Sequence, residues 1–220
     1  MVELITGLRA EVVKGNLERV RSEIAAAGRD PGDVQILAAV KYVPVDELGV
    51  LAEAGVELVG ENRAQDLVAK AEAYPGAFTW DFIGQLQSRK VRQVLPHVRY
   101  IETVASQSAL EQLGRHGSRA TEVLIEVNVA GESGKSGIAP SELGEYLDRA
   151  PVKVVGLMTM PPLAPTPEAS RRHFASLREL AAEHGLRELS MGTSQDYLVA
   201  VQEGATIVRL GTSLYRSGAS

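Results

Sequence analysis

Strand-like and helical segments alternate along most of this chain, and the alternation limits the fold more than any other feature of the sequence. Beyond the turn at 30–32, short runs rich in Val, Ile and Leu are each followed by a segment with helical spacing. The first predicted strand ends near Lys41. The other seven span 56–60, 80–84, 98–104, 122–129, 152–158, 186–191 and 206–210. Eight such units predict an α/β fold, a single (β/α)8 barrel of the TIM type, with an open doubly wound sheet as the alternative.

Helices are predicted between these strands and before the first of them. Residues 2–27 form one long amphipathic helix that Gly28 ends, so the barrel carries an extra N-terminal helix. Later helices are predicted at 63–73, around the basic residues 89–92, and at 109–115, 142–149, 169–184 and 195–202. The apolar positions of the N-terminal helix are Leu4, Leu8, Val12, Leu17, Val20 and Ile24.

The composition excludes several classes of function. With 28 acidic and 23 basic residues the formal charge is -5, so we expect no general attraction to nucleic acid or to an anionic membrane. The chain has no cysteine and its four histidines are far apart, which argues against disulfides, thiolate catalysis and a metal site. No apolar run reaches transmembrane length and the N-terminus lacks a signal-type apolar core, so we expect a cytoplasmic protein.

The first strand ends in a lysine. Side chains alternate between the two faces of a strand, so Leu37, Ala39 and Lys41 share one face, which we expect to point into the barrel. Loss of solvation favours the neutral form of a lysine amine, which is the form that attacks aldehydes. The alternative is a lysine that extends to the surface from the end of the strand.

Small and polar residues occur where the other strands end. In barrel enzymes the active site lies at the C-terminal ends of the strands. On the fifth strand, Glu122, Leu124, Glu126 and Asn128 share one face, and this polar face is suited to a barrel interior that opens into a site. The strand-end residues are Lys41, Asn62, Gly84, Gln85, Asn128, Met158, Gly192, Thr193, Ser194, Arg209, Leu210, Gly211 and Thr212.

Two of these strand ends are suited to bind an anion. Thr193 or Ser194 is placed to cap the helix after the seventh strand, whose free amides can face a phosphate. The segment 211–213 (Gly-Thr-Ser) offers a second turn, and barrels frequently hold phosphate between the loops after strands seven and eight. Because strand eight pairs with strand one in a closed barrel, this site and Lys41 flank one cavity. A phosphate beside an imine-forming amine indicates either pyridoxal phosphate or a phosphosugar substrate of an aldolase.

Seven short motifs occur in the order found in a known family. Their order and spacing resemble the pyridoxal-phosphate homeostasis proteins of the YggS/PROSC type, and the resemblance covers nearly the whole chain. The motifs are Ala39-Val40-Lys41, Gly60-Glu61-Asn62, Phe82-Ile83-Gly84-Gln85-Leu86-Gln87, Lys135-Ser136-Gly137, Gly156-Leu157-Met158, Met191-Gly192-Thr193-Ser194 and Val208-Arg209-Leu210-Gly211-Thr212.

This resemblance implies a fold, a cofactor and a set of site residues. Residues 1–220 are expected to form a single barrel similar to the N-terminal domain of alanine racemase, holding pyridoxal 5'-phosphate as a Schiff base on Lys41. Asn62 is expected near the cofactor ring, Arg209 is expected to face the cofactor, and the phosphate is expected on Ser194, Gly211 and Thr212. The remaining cofactor-binding residues implied by the resemblance are Met158, Met191, Gly192 and Thr193.

The chain departs from many members of this family at two places. Many relatives have another lysine close to the imine-forming lysine, where this chain has Tyr42 and Val43. Many also have a Phe-Gly pair where this chain has Tyr215 and Arg216, next to the predicted phosphate loop. We expect these departures to affect cofactor affinity and transfer rather than architecture.

Three functions are compatible with these residues. The resemblance implies intracellular homeostasis of pyridoxal phosphate by buffering and delivery, without an established reaction. An amino-acid racemase or other pyridoxal-phosphate enzyme would need a second acid/base group opposite Lys41, and no residue in the sequence is marked for that role. An imine-forming aldolase would need no cofactor. The expected protein is a monomer whose partners are pyridoxal phosphate and enzymes that require it, with no nucleic-acid or membrane partner.

Overall fold

A computed structural model describes residues 4–216, and these residues contain a closed eight-stranded parallel barrel. Each strand pairs with the next along the chain, and the eighth pairs with the first, with Leu37 beside Arg209. The predicted barrel is therefore confirmed, and the open-sheet alternative is wrong. The strands are β1 (Gln35–Ala39), β2 (Leu58–Glu61), β3 (Thr79–Phe82), β4 (Tyr100–Val104), β5 (Glu122–Glu126), β6 (Lys153–Met158), β7 (Glu188–Thr193) and β8 (Ile207–Leu210).

Helices follow the strands and surround the barrel. Helix α2 has no counterpart among the predicted helices, and the predicted helix at 89–92 is a single turn, α4, between two short 3-10 turns. The helices are α1 (Ala10–Ala26), α2 (Leu48–Glu53), α3 (Ala64–Ala73), α4 (Val91–Val94), α5 (Gln107–His116), α6 (Leu143–Arg149), α7 (Arg171–Glu183), α8 (Tyr197–Gln202) and α9 (Thr212–Tyr215). In the part of the chain described, no helix has the length and apolarity needed to cross a bilayer.

The N-terminal helix is shorter than predicted. It begins at Ala10, and residues 4–9 are not helical, while residues 2 and 3 of the predicted helix lie outside the described residues. Gly7 adopts a positive φ of 68°, which interrupts a right-handed helix. The carboxylate of Glu47 accepts the amides of Gly7 (2.6 Å) and Leu8 (3.0 Å). The amide of Ile5 donates to the carbonyl of Tyr42 (2.8 Å), so this segment lies beside the loop that follows β1.

Hydrophobic residues pack on both sides of the barrel wall. On β1, Ala38 faces the helices and is fully buried, whereas Leu37 faces the barrel interior with Leu58 and Ile207. On β5 the apolar residues Val123 and Ile125 face the helices, as the alternating pattern predicts. The other face of each strand points into the barrel, where its residues fill the interior or line the open end.

Candidate functional site

A cavity of about 1080 Å³ opens at the C-terminal ends of the strands. This is the end at which barrel folds place their sites. The sequence-predicted site residues that line it are Lys41, Asn62, Met158, Gly192, Thr193, Ser194, Arg209, Gly211 and Thr212. Residues from β1, β2, β6, β7 and β8, far apart along the chain, are thus brought to one space.

Met191 is the predicted site residue that the structure places elsewhere. Its side chain is fully buried in the layer between the barrel and the helices. Neighbouring residues on a strand point to opposite faces, and because Ser190 points into the barrel, where it bonds Glu102 and Arg209, Met191 points away from it. The expectation that the Met191 side chain contacts a cofactor is corrected accordingly.

Lys41 lies at the mouth of the barrel, two residues beyond β1. The amide of Val40 donates to the carbonyl of Gly60 (2.9 Å), which continues the sheet pairing as far as the residue before the lysine. Lys41 is half-buried, and its Nζ lies 4.9 Å from the centroid of the Tyr42 ring. The amine therefore enters the cavity from a backbone that the sheet holds in place.

A buried ion pair supports this backbone from the helix side. Lys70, on α3, is 6% exposed, and its Nζ donates to the carbonyl of Val40 (2.7 Å) and to Oε2 of Glu61 (2.5 Å). The other oxygen of Glu61 accepts the amide of Asn62 (2.7 Å). One lysine side chain thus connects the residues that precede Lys41 and Asn62. This pair was not predicted, although Lys70 falls on the buried face of α3 with Ala64 and Leu67.

The loops after β7 and β8 are joined through Ser194. Its hydroxyl oxygen accepts the amides of Gly211 (3.2 Å) and Ser213 (3.3 Å) and lies 3.0 Å from the Ser213 hydroxyl. The prediction that Thr193 or Ser194 caps the following helix is wrong, because Asp196 occupies the N-cap position. Amide and hydroxyl donors nevertheless converge at the strand ends predicted to bind an anion.

Two glycines allow backbone segments to approach closely around the cavity. Gly192 has a φ of 90°, and a Cβ there would lie 2.6 Å from the Cβ of Ala200. A Cβ on Gly84 would lie 2.0 Å from the carbonyl oxygen of Asn62. Neither position can accept a larger residue unless the backbone moves. These contacts fix how β7 meets α8 and how the loop after β3 meets Asn62.

Arg209 points from β8 into the barrel and is 6% exposed. Its guanidinium donates to the hydroxyl of Ser190 and to the carbonyl of Thr159 (2.8 Å). Burial lowers the pKa of Arg209, and the carboxyl of Glu102, 3.9 Å away, opposes that effect. A guanidinium remains protonated under such conditions, so Arg209 supplies a fixed positive charge to the inner wall of the cavity.

Glu126 also lines the cavity, at the end of β5. It is 6% exposed, it accepts a hydrogen bond from the Ser136 hydroxyl, and burial raises its pKa. Glu126 was predicted on the inner face of its strand, but no function was assigned to it. The sequence contains a signal for this position, because a carboxylate near the C-terminal end of the polar inner face of β5 is expected to reach the open end of the barrel.

The second departure from the family pattern contacts the strand that carries the lysine. The Tyr215 hydroxyl donates to the carbonyl of Ala39 (3.2 Å), and the Tyr215 side chain is buried. Burial raises the pKa of Tyr215, which keeps its proton available for this bond. The residue therefore supports the end of β1 from α9 and does not face the cavity.

Known proteins provide independent evidence of kinship. The chain is 39% identical over 213 residues to the pyridoxal phosphate homeostasis protein of Aquifex aeolicus, a match that covers 90% of this chain and 93% of the relative. It is 38% identical to the protein of the same name from Pseudomonas aeruginosa, over 94% of each chain. No family-level sequence profile matches the chain.

Solved structures agree with these sequence matches. The structure of PipY from Synechococcus elongatus with pyridoxal phosphate bound has a TM-score of 0.80 and 31% identity, covering 93% of this chain and all of that one. Alanine racemase from Corynebacterium glutamicum has a TM-score of 0.74 at 17% identity and covers 94% of this chain, which shows a shared fold. Because curated relatives above 30% identity match most of its length, the chain belongs to the pyridoxal phosphate homeostasis protein family.

Proposed function

We propose that this protein binds pyridoxal phosphate in the barrel cavity and acts in intracellular homeostasis of the cofactor, by holding and delivering it. One observation carries the proposal: the lysine amine, the donor-rich loops after β7 and β8 and a buried guanidinium all face one cavity. The relatives are named for this homeostasis, and one solved relative holds the cofactor.

The donors of the cavity fit the chemical groups of pyridoxal phosphate. The Ser194 hydroxyl suits the phosphate, because hydroxyl donors bind anions well, and the amides of Gly211 and Ser213 hold this hydroxyl at the cavity by donating to its oxygen. The Lys41 amine suits the aldehyde, to which we propose that it forms a Schiff base. Thr193, Thr212, Gly192, Asn62 and Met158 complete the proposed set of contacts.

Arg209 favours holding the cofactor over chemistry on it. When bound, pyridoxal phosphate supplies an electron-withdrawing ring, and that property is strongest when the ring nitrogen is protonated. We propose that the ring nitrogen lies beside Arg209. A permanent positive charge there disfavours the added proton and weakens the ring as an electron acceptor. The curated relatives are likewise named for homeostasis and not for a reaction.

The proposal extends to domain organisation and partners. Residues 1–220 act as one cofactor-binding barrel, the protein is a cytoplasmic monomer, and enzymes that require pyridoxal phosphate receive the cofactor from it. The cavity supports delivery because it is open at the barrel mouth, where an acceptor can approach Lys41.

Borohydride trapping tests the attachment. The purified protein incubated with pyridoxal phosphate should show visible-range absorbance, and reduction should fix the label on the peptide that contains Lys41. Lys41→Ala should lose both signals, whereas Lys153→Ala, on the exposed pair with Glu122 at the other end of β6, should keep them. A label fixed on Lys70, Lys90 or Lys135 instead would refute the assignment.

A second candidate function is a pyridoxal-phosphate-dependent racemase, which one observation favours. Glu126 ends β5, the strand opposite β1 in the closed order, and its buried carboxyl can hold a proton. We expect no turnover across a panel of L-amino acids, together with transfer of cofactor to an enzyme prepared without it. Exchange of the α-proton in deuterated water, followed by NMR, is the sensitive measurement. Multiple-turnover exchange that Lys41→Ala abolishes would favour the racemase.

A further inference from the structure

A chain of buried polar side chains lies beneath Arg209, inside the barrel. The Ser190 hydroxyl donates to Oε2 of Glu102 (2.6 Å) and accepts from the guanidinium of Arg209. Ser190 and Glu102 are fully buried. The Ser190 hydroxyl has one hydrogen, so these two bonds fix its orientation. Glu102 therefore reaches Arg209 through Ser190 and has no access to water.

The carboxyl of Glu102 lacks the donors that an ionised carboxylate needs. Its Oε1 is buried and has no hydrogen-bond partner among the described residues. An ionised carboxylate with an unsatisfied buried oxygen is much less stable than the neutral acid, which has one hydrogen to place. Arg209 is the facing cation, but its Nη1 is 3.9 Å from Oε2, and its hydrogen bonds go to Ser190 and to the Thr159 carbonyl.

The other charged groups that face Glu102 do not supply a donor. Asp81, on β3, is fully buried and forms an ion pair with Arg99, the residue before β4. It accepts the amide of Tyr100 (3.1 Å), and its carboxylate can accept a hydrogen bond from a protonated Glu102, whereas it repels an ionised one. The charged groups near Glu102 are therefore Asp81, Arg99, which is paired with Asp81, and Arg209.

We propose that Glu102 is a positioning residue that acts through Arg209, since its uncharged carboxyl orients Ser190 and adds no negative charge to those of Glu126 and Asp196, which also face Arg209. Burial, followed by the negative charge of Asp81, raises the pKa of Glu102 to about 8. If Glu102 were ionised, its negative charge would offset the positive charge of Arg209. The consequence for cofactor binding rests on the proposed function, whereas the protonation of Glu102 does not.

The protein without cofactor tests the protonation directly. The pKa of Glu102 is higher in the folded protein than its ordinary value of 4.5, so its contribution to stability is full below that value and is lost as pH rises through about 8. The urea midpoint of the wild type should therefore fall relative to that of Glu102→Gln over this range. Glu145→Gln, which changes an exposed glutamate of α6, should follow the wild type. Parallel curves for the wild type and Glu102→Gln would overturn the proposal.

A direct measurement covers the case in which Glu102→Gln does not fold. In protein labelled with 13C at glutamate carboxyls, one signal should titrate near pH 8 and should shift in Ser190→Ala, which removes the bond to Glu102. If every glutamate carboxyl titrates below about pH 6, the range of ordinary surface groups, Glu102 is ionised and the proposal fails.

The loaded protein tests the effect on Arg209. The absorbance of bound pyridoxal phosphate should change as pH passes through about 8 in the wild type, and this transition should be absent in Glu102→Gln. A transition that persists in the variant would assign it to another group and refute the action through Arg209. Failure of the protein to bind any cofactor would refute the proposed function but would leave the two measurements without cofactor intact.

Discussion

The two sides of the barrel mouth differ in how firmly they are held. On the side of β7, β8 and β1, side chains bind the backbone of the site directly: Ser194 joins two loops, and Lys70 and Tyr215 hold the carbonyls that precede Lys41. On the side of β6, the segment 159–167 contains four prolines and carries the exposed side chains of Met160 (56%) and Leu163 (80%).

This difference separates anchoring from access. A cofactor carrier must hold the phosphate and the aldehyde in fixed positions, and the first side supplies that rigidity. It must also let the cofactor enter and leave, and the second side lines the same cavity with the exposed apolar side chains of Met160 and Leu163. We therefore expect substitutions on the first side to change stability and affinity, and substitutions on the second side to change neither.

The largest effect is expected at Lys70. Lys70→Met leaves the carboxylate of Glu61 buried without its cation and should reduce the free energy of unfolding by about 3–5 kcal/mol. Lys153→Met is the matched control, because its pair with Glu122 is exposed and should contribute about 1 kcal/mol or less. Urea unfolding of both variants measures the difference, and equal losses would contradict the rigid first side.

Two glycines with positive φ, one on the first side and one in the loop after β5, offer a closer comparison. Gly192→Ala places a methyl group against Ala200 at a positive φ, which should cost about 1–3 kcal/mol for overpacking beyond the backbone strain. Gly131→Ala, in the loop after β5, has a φ of 66° and open space around it, so only the backbone strain of about 1–2 kcal/mol should remain. Thermal and urea unfolding should rank Gly192→Ala as the more destabilised, and the reverse order would overturn this view.

The phosphate loops should show a change in affinity together with a smaller loss of stability, because the Ser194 hydroxyl also joins the two loops. Ser194→Ala removes the proposed hydroxyl contact to the phosphate, and a charge-assisted hydrogen bond of this kind is worth roughly 1.5–3 kcal/mol, or about tenfold or more in the Kd for pyridoxal phosphate. Ser176→Ala, on the exposed face of α7, is the control and should bind as the wild type does. Equal affinity for pyridoxal and for its phosphate ester, measured by titration, would refute the anion site.

The smallest effect is expected on the open side. Leu163→Ser should change the free energy of unfolding by less than about 0.5 kcal/mol, because the side chain is 80% exposed. Its effect on the Kd for pyridoxal phosphate should be equally small, while the rate of cofactor transfer to an acceptor enzyme is free to change. A loss of stability comparable to that of Gly192→Ala would show that the open side is also held firmly.

Sequence reasoning located the features that depend on local order. The alternation of strands and helices gave the barrel, and the period of two along β1 placed Lys41 at its mouth, because both patterns are local in the chain. The same period, followed through β7, would have turned Met191 away from the cavity. The rule that barrel sites lie at the C-terminal ends of the strands then predicted most of the candidate residues that line the cavity.

The supporting contacts were not accessible from sequence in the same way. Lys70 reaches the Val40 carbonyl across 30 positions, Ser190 reaches Glu102 across 88, and Tyr215 reaches Ala39 across 176. Such pairs form because the barrel brings distant segments together, and no local pattern identifies which polar residues will meet. Helix α2 was missed for a different reason, because six residues are too few to show a clear helical period.

The pairing of β8 with β1 makes the site a late product of folding. The lysine and the loop proposed to hold the phosphate lie about 170 residues apart in the chain and become neighbours only when the last strand closes the barrel. Contacts of such long range form slowly, so a growing chain has the lysine long before it can retain the cofactor. Cofactor that binds the closed barrel alone raises its stability by mass action, so the cellular supply of the ligand also influences how much of the protein remains folded.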